Sequence, residues 1–190
     1  MTVEMRSPLA ARAADLARVA ESTGGEVVLE HVPFLAQVDL RLAADVAGRA
    51  PYPLPLEPNT ASDDGRRAAL WLGPDEWLIL GPPGAAEEIV AELDAAFEGV
   101  DRSVVDVSAN RVAIELTSPG RFDLLAHVCP LDLDPRVWAT GRCAQTLLGH
   151  AQVIIQERTE TTGILVRPSF ADYVVDLLLA VHGAVGGVGA

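Results

Sequence analysis

The sequence predicts an α+β fold, with antiparallel or mixed sheets and helices packed on one face. Three observations carry that prediction. Apolar strand-like runs come in pairs divided by turn residues, as in Ala68–Leu72 and Glu76–Leu80 around Gly73-Pro74-Asp75. Single stretches of helical period stand between the pairs, with Ile89, Val90, Leu93 and Phe97 marking one face of the clearest. The strand–helix–strand alternation of a doubly wound parallel sheet is not the pattern here.

Taken in order, Ser7-Pro8 reads as an N-cap followed by proline at the first helical position, and Leu9, Leu16 and Val19 mark one face of a short helix that Gly24-Gly25 ends. Strands are expected over Glu26–Glu30 and Leu35–Leu42. The segment Ala50–Gly65 holds Pro51, Pro53, Pro55 and Pro58, each lacking a backbone donor, so it is read as a long ordered surface connection. After the first hairpin, Pro82-Pro83-Gly84 leads into a helix over Ala86–Phe97. Arg102–Val107 and Arg111–Leu116 are expected to form a second hairpin around Ser108-Ala109-Asn110. Ser118-Pro119 starts a helix that runs to Val128, where Pro130 stops it. Arg142–Leu148 and Gln152–Arg158 pair, Gly163–Arg167 adds a strand, and Pro168–His182 closes the chain as a helix. The repeated strand–strand–helix order suggests two ferredoxin-like halves. We expect a single domain over residues 1–182, divisible into halves 1–100 and 101–182, with a flexible tail over 183–190.

Composition narrows the function. The chain has 190 residues, 49% of them apolar, enough for a core without metal or disulfide support. Its net charge of −13 repels phosphate backbones and anionic lipid, which argues against nucleic-acid and membrane partners. All 14 basic residues are arginine, so chemistry that needs a lysine amine, such as a Schiff base or a Walker-A phosphate loop, cannot be built. The first residues lack the apolar core of a secretory signal, no apolar run approaches the ~20 residues of a membrane span, and two cysteines point to free thiols in the cytoplasm.

No constellation of reactive residues emerges, and no catalytic, cofactor-binding or metal-binding residue is assigned. His127, Cys129, Cys143 and His150 fall within 24 positions, but no CxxC or HxxxH clamp joins them, and the thiols are expected to be buried apolar groups. There is no G-x-S-x-G elbow. Gly81-Pro82-Pro83-Gly84 lacks the N–H groups of a phosphate cradle and reads as a rigid helix entry. The surface candidates are Trp71 and Trp77, as core anchors or interface hot spots. Beside them stand Arg111 and Arg142, which with Arg167 lie on or next to apolar strands. Such arginines call for a carboxylate or backbone carbonyl partner: Asp106 or Asp132 within the chain, or a partner subunit across an interface.

Several words of the sequence, in order, carry a family resemblance. They include Pro33-Phe34-Leu35-Ala36-Gln37-Val38-Asp39-Leu40-Arg41, Leu56-Glu57-Pro58-Asn59-Thr60 and Ala69-Leu70-Trp71-Leu72-Gly73-Pro74-Asp75-Glu76-Trp77-Leu78. Further along come Asp106-Val107-Ser108, Cys129-Pro130-Leu131-Asp132-Leu133, Gly141-Arg142-Cys143-Ala144-Gln145-Thr146-Leu147-Leu148 and Ser169-Phe170-Ala171-Asp172-Tyr173. Together they resemble the gamma subunit family of heterotetrameric sarcosine oxidase. That family is distantly similar to the folate-binding domain of the glycine-cleavage aminomethyltransferase. The resemblance implies a non-catalytic accessory subunit that docks on the alpha subunit of an alpha-beta-gamma-delta assembly. The assembly is expected to oxidise sarcosine to glycine with FAD, FMN, NAD and tetrahydrofolate, and this chain alone to bind none of them. Ala109 departs from the family's usual histidine. Gly149-His150-Ala151-Gln152 occupies the place of the transferase's folate-contacting aspartate without a carboxylate, which argues against folate chemistry in this chain. The alternatives are a stand-alone folate-dependent one-carbon transfer enzyme and a small-ligand α+β binding module.

Overall fold

The structure, a computed structural model, describes residues 6–186. Ten strands and four α-helices follow the chain as β1 (Val28–Val32), β2 (Ala36–Leu42), β3 (Ala61–Asp63), β4 (Ala68–Gly73), β5 (Glu76–Gly81), β6 (Arg102–Asp106), β7 (Val112–Thr117), β8 (Cys143–Leu148), β9 (Ala151–Glu157) and β10 (Thr161–Val166), with α1 (Ala13–Ser22), α2 (Ala86–Ala96), α3 (Arg121–Ala126) and α4 (Ala171–Gly186). They build two five-stranded sheets, in the orders β1-β7-β10-β9-β8 and β3-β4-β5-β2-β6, and each ladder between named strands is antiparallel.

Strand alternation divides the core into three layers. In the second sheet, Val38, Leu40, Leu42, Trp77 and Ile79 point toward α2, whose Ile89, Leu93 and Phe97 recur every four residues on the facing side. The alternate residues Ala68, Leu70, Leu78 and Leu80 point the other way and meet Ala113, Cys143, Ile154 and Leu165 of the first sheet. The outer face of that sheet, with Ile114, Leu116, Val153, Ile155 and Ile164, is covered by α1, α3 and α4 through Leu16, Leu125, Val174 and Leu178. The molecule is therefore a four-layer helix–sheet–sheet–helix stack, with helices on one face of each sheet.

The expected second hairpin does not form. β6 pairs with β2 in one sheet, while β7 pairs with β1 and β10 in the other. Local turn chemistry is satisfied at Ser108, whose N–H donates to Asp106 Oδ1 at 2.9 Å and whose Oγ accepts from the Gln37 N–H at 3.0 Å. That turn carries the chain from one sheet to the other, a choice that burial of both faces decides and turn residues do not. β1 and β2 likewise belong to different sheets, so strands cross the residue-100 boundary in both directions. Within the proline-bearing connection, β3 forms a short edge strand against β4. Asn59 and Ala61 reach the other sheet, the Cys143 N–H donating to Asn59 O at 3.0 Å and the Ala61 N–H to Gly141 O at 2.7 Å. The connection thus joins the edges of both sheets.

The 3₁₀ turns Pro8–Arg12 and Pro168–Phe170 lead into α1 and α4, and α4 continues to Gly186, past the point where the sequence predicts a tail. Residues 187–190 of that tail, and residues 1–5 of the start, lie outside the described residues.

Candidate functional site

The strands that face each other between the sheets carry apolar side chains at mid-length and polar ones at the end. Along the first sheet the inward row reads Cys143, Gln145, Leu147 on β8 and Gln152, Ile154 on β9. Arg111 precedes β7 and Arg167 follows β10, continuing the rows of Ala113 and Leu165. Arg111, Gln145, Leu147, Gln152, Ile154 and Arg167 line a cavity of about 430 Å³ at the mouth of the inter-sheet cleft. Arg111 also lines an adjoining cavity of about 330 Å³ with Ser7, His31, Phe34, Ser108 and Pro168. The sheet crossovers Pro33–Leu35 and Val107–Arg111 place these residues there.

The mouth is charged. Across from Arg111 stand Asp39 and Glu76, both engaged by Arg41, with Nη2 at 2.9 Å from Glu76 and Nε at 3.5 Å from Asp39. Burial and the neighbouring Arg167 cation both push the Arg111 pKa down, while Asp39 and Glu76 oppose them. Burial pushes the Glu76 carboxyl up, with Asp39 adding to the effect and Arg41 opposing it. Neither Arg111 nor Arg167 forms an ion pair with a carboxylate among the described residues. Two guanidiniums flanked by the amides of Gln145 and Gln152 can hold a carboxylate or another oxyanion.

The other residues singled out in the sequence fall elsewhere. Trp77 is 0% exposed, and its indole N–H donates to the Pro55 carbonyl at 2.7 Å, so it anchors the core and offers a partner no surface. Of the two roles expected for it, this burial favours the core anchor. Trp71 lies directly opposite in the ladder, half-buried against the same cluster. The bulge between Trp71 and Gly73 restores the shared face that a count across the turn obscures. Arg142 reaches Glu57 at 3.3 Å, where the proline-bearing connection meets β8. Asp106 and Asp132, the sequence-based partners for these arginines, cap their own turns.

The first sheet separates the two thiols. Cys143 points between the sheets and donates to the Thr60 carbonyl at 3.1 Å, and burial raises its pKa to about 11, which keeps it a neutral thiol. Cys129 lies on the helix side. The His127 ring nitrogen Nδ1 meets the Asp123 carbonyl at 2.7 Å, and His150 packs beside Tyr173. Among the described residues, no group of three or more His, Cys, Asp and Glu side chains is placed to hold a metal ion. The residues that sequence reasoning passed over are Phe34, Leu147 and Gln152. Phe34 gives no sequence signal because its φ of 58° is a backbone property.

Comparisons with known proteins agree in direction. The family model described as "Sarcosine oxidase, gamma subunit family" matches residues 37–183. Sarcosine oxidase subunit gamma of Arthrobacter sp. is 34% identical over 166 residues, covering 83% of this chain and 81% of the relative. Its counterpart from Corynebacterium sp. (strain U-96) is 35% identical over 187 residues, covering 92% and 88%. A chain of the heterotetrameric sarcosine oxidase from Corynebacterium sp. U-96, solved in complex with pyrrole 2-carboxylate, superposes with a TM-score of 0.83 at 31% identity over 95% of each chain. Glycine cleavage system aminomethyltransferase T from Bartonella henselae shares the fold, with a TM-score of 0.61 at 14% identity over 81% of this chain and 45% of that one.

Proposed function

The chain belongs to the sarcosine oxidase gamma subunit family, and from that membership we propose that it works as a non-catalytic accessory subunit of a heterotetrameric sarcosine oxidase. The observation that carries the reading is the match at full length. The fold, the order of elements and 31% of the residues agree over 95% of both this chain and a chain of the Corynebacterium enzyme. The resident chemistry supports an accessory role. Cys143 is a hydrogen-bonded neutral thiol, and the inter-sheet cleft offers the cations of Arg111 and Arg167 and the amides of Gln145 and Gln152. In this reading the alpha subunit of an alpha-beta-gamma-delta assembly is the neighbour. FAD, FMN, NAD and tetrahydrofolate are held by the larger subunits, which pass the electrons of sarcosine to oxygen. Trp71 and Arg142, on the hairpin and the sheet edge that the proline-bearing connection joins, are proposed to stand near that contact. Among the described residues no helix is long and apolar enough to cross a membrane, and we place the assembly in the cytoplasm.

Co-expression of the tagged chain with the large flavoprotein subunits, followed by native mass spectrometry, tests the reading. A stoichiometric, flavin-coloured complex is the expected result. A chain that stays monomeric beside those subunits would defeat the accessory role.

A further inference from the structure

Resting on that subunit reading, we infer that the mouth of the inter-sheet cleft receives a carboxylate-bearing, partly apolar segment of a partner subunit, gripped by Arg111 and Arg167. Charge is the first ground. The chain has a net charge of −13, and most of its arginines are already ion-paired to its own carboxylates. Arg49 is satisfied by the carbonyls of Ala96 and Glu98. Arg111 and Arg167 are different, because they line one cavity, repel each other and have no ion pair among the described residues. The nearest carboxylates, Asp39 and Glu76, are held by Arg41. A shared carboxylate relieves the repulsion and matches the planar donor forks of both guanidiniums.

Backbone strain is the second ground. Phe34 sits at φ 58°, in the left-handed region that a bulky aromatic avoids, and its side chain is 43% exposed beside the cavity that Arg111 shares. A glycine or asparagine would make the same turn with less strain, so the aromatic is held there at a cost in backbone energy.

The rim is the third ground. Leu147, 41% exposed, lines the arginine cavity, and Phe170, 40% exposed, stands three residues after Arg167. Arginine among exposed aromatic and aliphatic side chains is the composition of an interface centre, and the apolar rim serves no purpose in holding a small free anion. The acidic surface elsewhere repels a negatively charged segment, so this mouth also fixes where the segment lands.

The test uses the full chain co-expressed with the large subunits, with gamma retention followed by native mass spectrometry across a sodium chloride series. Two variants are compared with the wild type: Arg111→Met combined with Arg167→Met, and Phe34→Asn. The double variant is expected to bind on the order of 100-fold more weakly and to lose most of its salt dependence. Phe34→Asn is expected to weaken association while the melting temperature of the free chain holds or rises, because asparagine tolerates the left-handed backbone. Wild-type association in both folded variants overturns the proposal. It is also overturned if acetate or inorganic phosphate stabilises the free chain through Arg111 and Arg167 while association is unchanged, since the mouth is then a small-anion site. A wild-type chain that fails to associate at all refutes the subunit reading itself, and that result appears before any variant is made.

Discussion

Trp71 and Trp77 occupy facing positions in one ladder, yet they play different parts. Trp77 closes the layer between the second sheet and α2, and its N–H satisfies a carbonyl of the proline-bearing connection, so the indole holds that connection down as well as filling the core. Trp77→Ala is expected to cost about 3–5 kcal/mol in stability, a large share of what a domain this size possesses. Trp71 is half-buried, and its replacement by alanine should cost about 1–2 kcal/mol. Urea unfolding of the two single variants checks the contrast, and equal losses would show that the hairpin packs differently. Sequence reasoning could name both residues but not rank them, because burial of one indole depends on Ile89 and Phe97 arriving from another element. The arginines teach the same lesson. Arg111 finds neither Asp106 nor Asp132 but the cation of Arg167, which lies 56 positions further along the chain.

At the scale of elements, the hairpin of β8 and β9 was legible because its turn is local. Leu148 pairs with Ala151 across a two-residue loop with glycine first, and Gly149 adopts φ 56°, as a type II′ turn requires. The position is also closed sterically: a β-carbon at Gly149 would run into the Tyr173 hydroxyl, which itself accepts the His150 N–H at 3.1 Å. Gly149→Ala should therefore cost about 2 kcal/mol or more, from left-handed strain plus the displaced tyrosine. Adding Tyr173→Phe should recover part of the loss by removing the clashing oxygen, and thermal melts of the single and double variants read both effects. β6 and β7 show the opposite case. Their sequences alternate and a turn lies between them, yet β6 completes the sheet begun by β2 while β7 sits centrally between β1 and β10. Nothing in Ser108-Ala109-Asn110 distinguishes a hairpin from a crossover, since the Asx-type bonds of Asp106 and Ser108 suit both.

At the scale of the molecule, we read residues 1–182 as one cooperative domain. The middle core layer draws on both sheets, β1 and β6 each lie across the residue-100 boundary from most of their sheet, and the connection around Asn59–Ala61 bonds to the opposite sheet edge. Halves that share a core layer and exchange strands cannot unfold separately without exposing it. Far-UV and near-UV circular dichroism are therefore expected to report one coincident thermal transition, and two resolved transitions would divide the chain into independent units. The same stacking explains where a partner can bind: helices close both outer faces, leaving the ends of the inter-sheet cleft and the sheet edges as places where strand-borne side chains reach solvent. The arginine pair sits at one such end.

Much was determined by the sequence alone: the α+β class, most strands and helices, the family, and the absence of lysine chemistry. The class, the elements and the lysine argument rest on periodicity, turn residues or composition, which are local or countable, while the family rests on the resemblance of sequence words in order. Only the tertiary structure decided which strands share a sheet, which tryptophan is buried, that a three-residue edge strand interrupts the proline-bearing connection, and that Arg111 and Arg167 meet at one mouth. Those outcomes depend on how two sheets and their covering helices bury each other's faces, a non-local free energy that no window of neighbouring residues contains.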